Sequence, residues 1–175
     1  MKNDINQLID PFGLESYSFL LGWYNSKVQK AFHLPHHEDT VAFTIISKPA
    51  MFEKAFLPYL TSEGLNNNPQ DPLDQCMRKC LGTVKSLFPD IDLQIIHDFE
   101  LTPLRRPKIL MQTAGHISGA ARFYQRSDVG DEDAWGEKKI FGVSIHHSYG
   151  GWFAFRAVII LNDVLCKDLK LQDPM

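Results

Sequence analysis

Two stretches of this chain, 101–127 and 138–162, contain no aspartate or glutamate, although carboxylates punctuate the rest of it. The first carries Arg105, Arg106, Lys108, Arg122 and Arg126, the second Lys138, Lys139 and Arg156, and a polar, acidic loop joins them. The formal net charge is −3, so the cations are segregated rather than in excess. Positive potential focused in this way favours an anionic ligand. Gly115, Gly119, Gly150 and Gly151 lie among aromatics in the same stretches. A fold that brings the two together offers backbone approach and ring faces to a large, flat molecule.

A chain of 175 residues suits one domain, here 1–166, which at this size buries roughly 70% of its unfolded surface. The end, 167–175, is expected to fray. Hydrophobic content of 44% and charged content of 22% are ordinary for a globular chain. Three cysteines and a polar start, MKNDINQLID, predict a reduced, cytoplasmic protein without a disulfide framework. No apolar run approaches the roughly 20 residues that span a bilayer. The sequence pI of about 6.1 argues against a nucleic-acid binder. Neither a membrane nor a nucleic acid is an expected partner.

Along the chain, Pro11 and Gly13 separate two expected helices in the aromatic stretch before Ala31. The run TVAFTIIS, Thr40–Ser47, reads as a buried strand. Ser47 is placed to cap a helix bearing Met51, Phe52, Ala55 and Phe56, with Pro58 limiting its length. Asp71-Pro72 reads as the start of a helix carrying Leu73, Cys76, Met77, Cys80, Val84 and Leu87, stopped by Pro89. Leu93–Phe99 reads as a strand and Lys108–Tyr124 as a helix whose Gly115 and Gly119 clear one face. Ser127–Gly136 reads as a loop. Phe141–His146 and Trp152–Leu161 read as strands joined across a turn at residues 148–151.

Cys76 and Cys80, four apart on a helix, share a face; the apolar stripe around them favours core packing over half a metal site. His33, His36 and His37 lack a carboxylate or thiolate companion at metal-site spacing. His146 and His147, if on a strand, point to opposite faces. On the last strand Trp152, Ala154 and Arg156 should share one face and Phe153, Phe155 and Ala157 the other. Arg156 beside the apolar run VIIL requires an anion to offset desolvation, from a distant part of the fold or from a ligand. His116-Ile117-Ser118-Gly119, followed by Gly150-Gly151, is similar to the H-x-x-G motif of carriers that bind cobalamin through histidine. Ala114 stands where that motif has the aspartate that orients the imidazole. His116 is therefore read as a hydrogen-bonding residue facing the ligand, and no metal ligand is assigned.

Several long segments carry a wider resemblance: FHLPHHEDTVAFTIISKPAMFEKAFLPYL, DPLDQCMRKCLG, RRPKILMQTAGHISGAARFYQRSDV and WGEKKIFGVSIHHSYGGWFAFRAVIIL. In this order they resemble the CblC cobalamin-trafficking family, from Pro11 to Leu161. The resemblance implies an α+β fold of the flavin-nitroreductase kind, a mainly antiparallel sheet flanked by helices with a small cap. It implies a protein that binds cobalamin with its lower base displaced and removes the upper ligand. Decyanation would be supported by a reduced flavin, FMN or FAD, and dealkylation would pass the alkyl group to glutathione. The product would pass to the CblD protein and towards methionine synthase. A monomer or a ligand-induced homodimer is implied. The ligand-contacting positions carried over are Asp98, Ile109, Leu110, Met111, Gln112, Phe123, Tyr124, Gln125, Ser144 and Phe155. His116, Gly119 and Trp152 join them from the reading of the residues. Arg156 matches the arginine that helps bind glutathione and is the expected catalytic residue. Family members continue past position 175 through an aromatic, Arg-containing segment, so the resemblance implies a truncated cap and an incomplete glutathione site.

Overall fold

The computed structural model describes residues 2–64, 70–128 and 141–174. Six strands are present among them: β1 (Leu14–Leu20), β2 (Thr40–Ser47), β3 (Leu93–His97), β4 (Arg122–Tyr124), β5 (Val143–Ile145) and β6 (Ala154–Leu165). Four make the main sheet in the order β1-β2-β6-β3, each neighbouring pair antiparallel, while β4 and β5 form a separate ribbon. The central strands are the two most apolar runs of the sequence. β2 is buried along its whole length, as a strand covered on both faces must be.

Helices cover both sides. Against one face lie α1 (Lys2–Ile9) and α3 (Pro72–Leu87), whose Ile5, Ile9, Met77 and Leu81 pack on Phe43, Ile45, Ile159 and Leu161. Against the other lie α2 (Leu21–Asn25) and α4 (Met111–Ile117), with Tyr24, Ala114 and Ile117 on Phe19, Val158 and Ile160. Alternation along β6 divides Ile159 and Leu161 from Val158 and Ile160. Each fully buried Leu or Ile stabilises by about 1.5–3 kcal/mol. Cys76 and Cys80 are buried in the first cluster, in keeping with core packing.

Several local expectations give way. Leu14–Leu20 is an edge strand, not a helix: Gly13 turns the chain at φ 72, and Ser16, buried in β1, is satisfied by Asn6 Oδ1. That burial of serine hides the strand's alternation. Ser47 ends β2 instead of capping a helix. The helical path after it does not stop at Pro58 but runs through wide turns at Phe52–Phe56 and Leu60–Gly64 around a short α-helical turn at Leu57–Tyr59. Widening is one way a helix accommodates the missing proline N–H. α3 begins where Asp71-Pro72 predicts, although Asp71 is left-handed at φ 51 and makes no side-chain cap.

The expected helix over Lys108–Tyr124 is much shorter, and its last residues are β4. Gly119, at φ 77, ends it: Gly119 N–H donates to His116 O at 3.2 Å and Ala120 N–H to Gly115 O at 2.9 Å, the bond pair of a Schellman stop. Nor do β5 and β6 form a hairpin. β5 pairs with β4, and only His146 and Gly150 bridge across the turn that follows it. The loop expected at Ser127–Gly136 begins with a tight 3₁₀ turn at Arg126–Asp128 and otherwise lies outside the described residues.

Residues 167–174, where fraying is expected, carry no helix or strand, but Leu169 packs on the core and Pro174 is buried. A Cβ added at Gly119 would lie 2.8 Å from Gln172 Cβ. Together with the positive φ, this places the cost of Gly119→Val in the fold. We expect a loss of about 1–3 kcal/mol, read as a lowered urea midpoint.

Candidate functional site

The segment after β3 doubles back before entering α4. Glu100 Oε1 accepts the His97 N–H at 3.0 Å, Glu100 Oε2 takes Lys108 Nζ at 2.7 Å, and Lys108 N–H donates to Glu100 O at 3.0 Å. Thr102 and Arg106 close the tip, where Arg105 adopts φ 58. At the far end, Leu110 N–H donates to the buried Tyr24 hydroxyl at 3.0 Å. These bonds set Asp98 opposite the residues that open α4.

Between them lies a cleft of about 600 Å³ lined by Asp98, Ile109, Leu110, Met111, Gln112, Phe123 and Phe155. It adjoins a second of about 410 Å³ through Gln112 and Phe123, where Gln125, Arg126, Phe141 and Gly142 complete the wall. Eight of the sequence-expected residues therefore meet at one place. Ser144 faces Phe123 across the ribbon, and its buried Oγ has no hydrogen-bond partner in the fold. Gly142, at φ 51, lets the ribbon close on Phe123 and the Tyr124 carbonyl, each 2.6 Å from where its Cβ would stand.

The remaining expected residues lie elsewhere. Tyr124 alternates away from Phe123 to the exposed face of the ribbon, stacked with the Arg122 guanidinium at 5.3 Å. Trp152 precedes β6 and is 82% exposed. His116 does not face the cleft: its Nδ1 accepts the Phe123 N–H at 3.2 Å, and the ring lines a different cavity, beside Trp23, Lys27 and the segment Leu171–Pro174. Gly119 faces Gln172. The helix face cleared at Gly115 is filled by the protein itself, since a Cβ there would lie 2.2 Å from the Phe155 ring.

Arg156 occupies a bulge. Ile46 pairs with Phe155 and Ile45 with Ala157, leaving Arg156 as the extra residue on β6. Phe155 and Ala157 consequently pack in different clusters on opposite faces, and the simple alternation expected from sequence fails there. Arg156 Nε donates to Ser47 Oγ at 2.9 Å, and the Asp98 N–H donates to the Arg156 carbonyl at 3.1 Å. Burial disfavours the guanidinium charge, while Asp98, Asp74 and Cys76 favour it. Burial likewise raises the Asp98 carboxyl, with Arg156 opposing. Among the described residues no carboxylate comes within ion-pair distance of Arg156. Nearby charge thus offsets part of the desolvation of Arg156 without a contact pair.

Among the described residues no group of three His, Cys, Asp or Glu side chains could hold a metal ion, and no helix is long and apolar enough to cross a membrane.

An antiparallel α+β sheet with an aromatic, amide-bearing cleft where a short helix meets β6 defines a small-molecule binding protein. The family model described as the methylmalonic aciduria and homocystinuria type C family matches residues 13–175, and the chain belongs to that family. It is 49% identical over 167 residues to a chicken protein named cyanocobalamin reductase / alkylcobalamin dealkylase, covering 95% of this chain and 69% of that one. The human protein of the same name is 46% identical over 99% of this chain and 61% of its own length. The crystal structure of a Caenorhabditis elegans B12-trafficking protein CblC superposes with a TM-score of 0.86 at 32% identity, covering 99% of this chain and 73% of that one.

Two measurements follow from the geometry. Gly115→Ala should cost little stability, because a ring can shift where backbone cannot, but it should push Phe155 into the cleft and weaken ligand binding about tenfold; calorimetric titration beside a thermal melt reads both. His97, His116 and His146 are all held below the ordinary imidazole value of 6.5, burial being the first cause in each. A histidine whose folded pKa is depressed binds its proton more readily when unfolded. Its contribution is complete above about 6.5 and is lost as pH falls from there towards the depressed value. Urea midpoints should therefore fall from pH 7 to pH 5.

Proposed function

We propose that the chain binds cobalamin in the cleft lined by Gln112, Phe123 and Phe155 and removes its upper axial ligand. The observation that carries this reading is the convergence of the family's ligand-contacting positions on one cleft. Its chemistry suits a corrin: Gln112 and Gln125 amides for the peripheral amides, Phe155 and Phe123 for the macrocycle, and the unpartnered Ser144 Oγ for one further polar group. The combined volume takes part of so large a ligand. Asp98, Phe123, Ser144 and Phe155 are its anchors, with Ile109, Leu110 and Met111 as the apolar floor at the start of α4. Tyr124 and Trp152 are placed to cover an edge from outside, whereas His116 and Gly119 act through the fold. The architecture is read as a flavin-nitroreductase variant.

Two reactions follow. In decyanation one electron from a reduced flavin converts Co(III)–CN to Co(II) and free cyanide; the flavin is a diffusible reductant here, and no residue is assigned to it. In dealkylation the glutathione thiolate attacks the carbon on cobalt, forming the S–C bond and leaving both electrons of the Co–C bond on Co(I). Holding the lower base off lowers electron donation to Co(III) and eases its reduction. The chain's part is to orient the corrin, exclude water from one face and hold the thiol, the usual division between protein and cofactor chemistry. Arg156 would hold a glutathione carboxylate through guanidinium N–H groups not used by Ser47. Transfer to a CblD partner in the cytoplasm completes the reading.

A second reading of Arg156 has its own support. The bulge sends the side chain toward Ser47 and the charges of Asp74 and Asp98, where a purely structural cation would also sit.

Titration with cyanocobalamin should shift the absorption spectrum to the base-off form; an unchanged spectrum refutes base-off binding, and no heat of binding in a calorimetric titration refutes cobalamin binding altogether. Cyanide release with reduced flavin, and S-methylglutathione from methylcobalamin, then separate an enzyme from a carrier that binds without turnover. Arg156→Gln should slow dealkylation about ten- to a hundredfold, the loss of one charge-assisted contact, and leave decyanation within about threefold. Equal loss of both assigns Arg156 to the fold.

A further inference from the structure

Across the sheet from the Asp98 loop, the turn after β5 is fastened to β1 by a closed polar network. His146 is 2% exposed, and its Nδ1 accepts two backbone N–H groups of its own turn, Ser148 at 3.0 Å and Tyr149 at 3.2 Å. A nitrogen facing two donors carries no proton, so the neutral ring holds its hydrogen on Nε2. Nε2–H then donates to Tyr17 Oη at 2.8 Å, and Tyr17 donates in turn to Glu15 Oε1 at 2.7 Å. Tyr149 donates to the other carboxylate oxygen, Glu15 Oε2, at 3.1 Å. Every donor in the chain points one way and ends on an anion.

The network has an apolar continuation. The His146 ring packs on Phe153 at 5.7 Å between centroids, and Phe153 meets Phe155 edge to face at 5.2 Å. Phe155 lines the cleft. We propose that His146 and Tyr17 are positioning residues of the cobalamin site, clamping the 146–153 turn to β1 so that Phe153 fixes the angle of Phe155. The inference rests on the cleft being the cobalamin site.

The clamp requires neutral histidine, because a proton on Nδ1 confronts the Ser148 and Tyr149 N–H groups. The charged and titratable groups facing it are Glu15 and Tyr17 from β1 and His147 and Tyr149 from its own turn; Ile46 of β2, Ala120 after α4, and Phe153 and Phe155 add none. Burial and His147 lower its pKa, opposed by Glu15. The clamp therefore holds at neutral pH and opens as pH falls below the ordinary imidazole range.

The test uses the full chain and cyanocobinamide, a corrin without a lower base to titrate, between pH 5 and 7.5. Wild-type affinity should be level down to about pH 6.5 and weaken progressively below it, by up to about tenfold once His146 is charged, the scale of one or two lost hydrogen bonds. At pH 7.5, His146→Phe should weaken binding about tenfold and Tyr17→Phe about fivefold, with no further loss in the double variant. His146→Asn, whose Oδ1 stands in for Nδ1 but which has no group to reach Tyr17 and does not titrate, should weaken binding at pH 7.5 about as much as Tyr17→Phe and show no step in pH. Unchanged affinity in folded Tyr17→Phe and His146→Phe proteins, or a pH step that survives His146→Asn, overturns the proposal. If His146→Phe does not fold, Tyr17→Phe and His146→Asn decide it. Failure of the wild type to bind either cyanocobinamide or cyanocobalamin instead removes the cobalamin reading, and this inference with it.

Discussion

Everything at the cleft depends on one extra residue in the pairing of β6 with β2. Were the ladder regular past Ile45 and Ile46, Phe155 and Ala157 would lie on one face, and either the aromatic would enter the α1–α3 core or the small residue would face α4. The bulge at Arg156 resolves this by advancing the chain one residue without a partner. Ala157 keeps its place beneath α3, Phe155 crosses to the other face, and the ring fills the space that Gly115 leaves on α4. A bulge beside a binding site that re-aims a side chain is a recurrent device. Here it also fixes where a half-buried cation stands, because the unpaired residue is the arginine.

Charge follows from the same construction. Arg156 is half-buried near Asp98 and Asp74 without touching either within ion-pair distance, and its position is held by a neutral hydroxyl, Ser47 Oγ. Removing water from a guanidinium is costly, and opposite charges at some distance offset part of that cost without saturating its donors. Asp98 is the mirror image, its carboxyl raised by burial and drawn back by Arg156. The two respond to each other, so a ligand that changes the solvation of either changes both.

The central strands β2 and β6 were legible because they are apolar on both faces: TVAFTIIS and the run Ala157–Leu161 admit little else. α3 was legible from its period and from Asp71-Pro72 and Pro89. What sequence concealed was set by contacts remote in the chain. β1 reads as a helix because Ser16 and Glu15 interrupt its alternation, and both are polar for reasons 10 to 134 residues away, Asn6 for one and Tyr149 for the other. The end of α4 had a local signal, Gly119 followed by small residues, but Gly115 and Gly119 share a four-residue spacing that also suits an open helix face. The register of β6 against β2 carries no local mark at all. For the cleft, the family resemblance pointed to 109–112, Phe123 and Phe155, whereas the reading of residue types added His116, Gly119 and Trp152, which lie elsewhere, and showed His146 only as half of a histidine pair. Its partners Tyr17 and Glu15 lie on a strand the pattern did not reveal.

The segregated cations acquire a different meaning once the cleft is described. Of the five in the first carboxylate-free stretch, only Arg126 lines the cavity wall. Arg105 and Arg106 sit at the exposed tip of the loop, Lys108 is paired with Glu100, and Arg122 stacks on Tyr124 outside the ribbon. The cavity itself is aromatic and amide-bearing, with Asp98 as its carboxylate. That composition fits a broad, nearly neutral body with amide arms better than a compact anion. The positive charge lies on the rim, where its field is screened at short range by salt and acts on whatever projects from the body of the ligand. Corrin amides inside and an anionic appendage or a carboxylated thiol at the mouth would satisfy both parts. A small anion bound within the cleft would satisfy neither, because it would meet Asp98 and an apolar floor instead of the cations that the sequence had set apart.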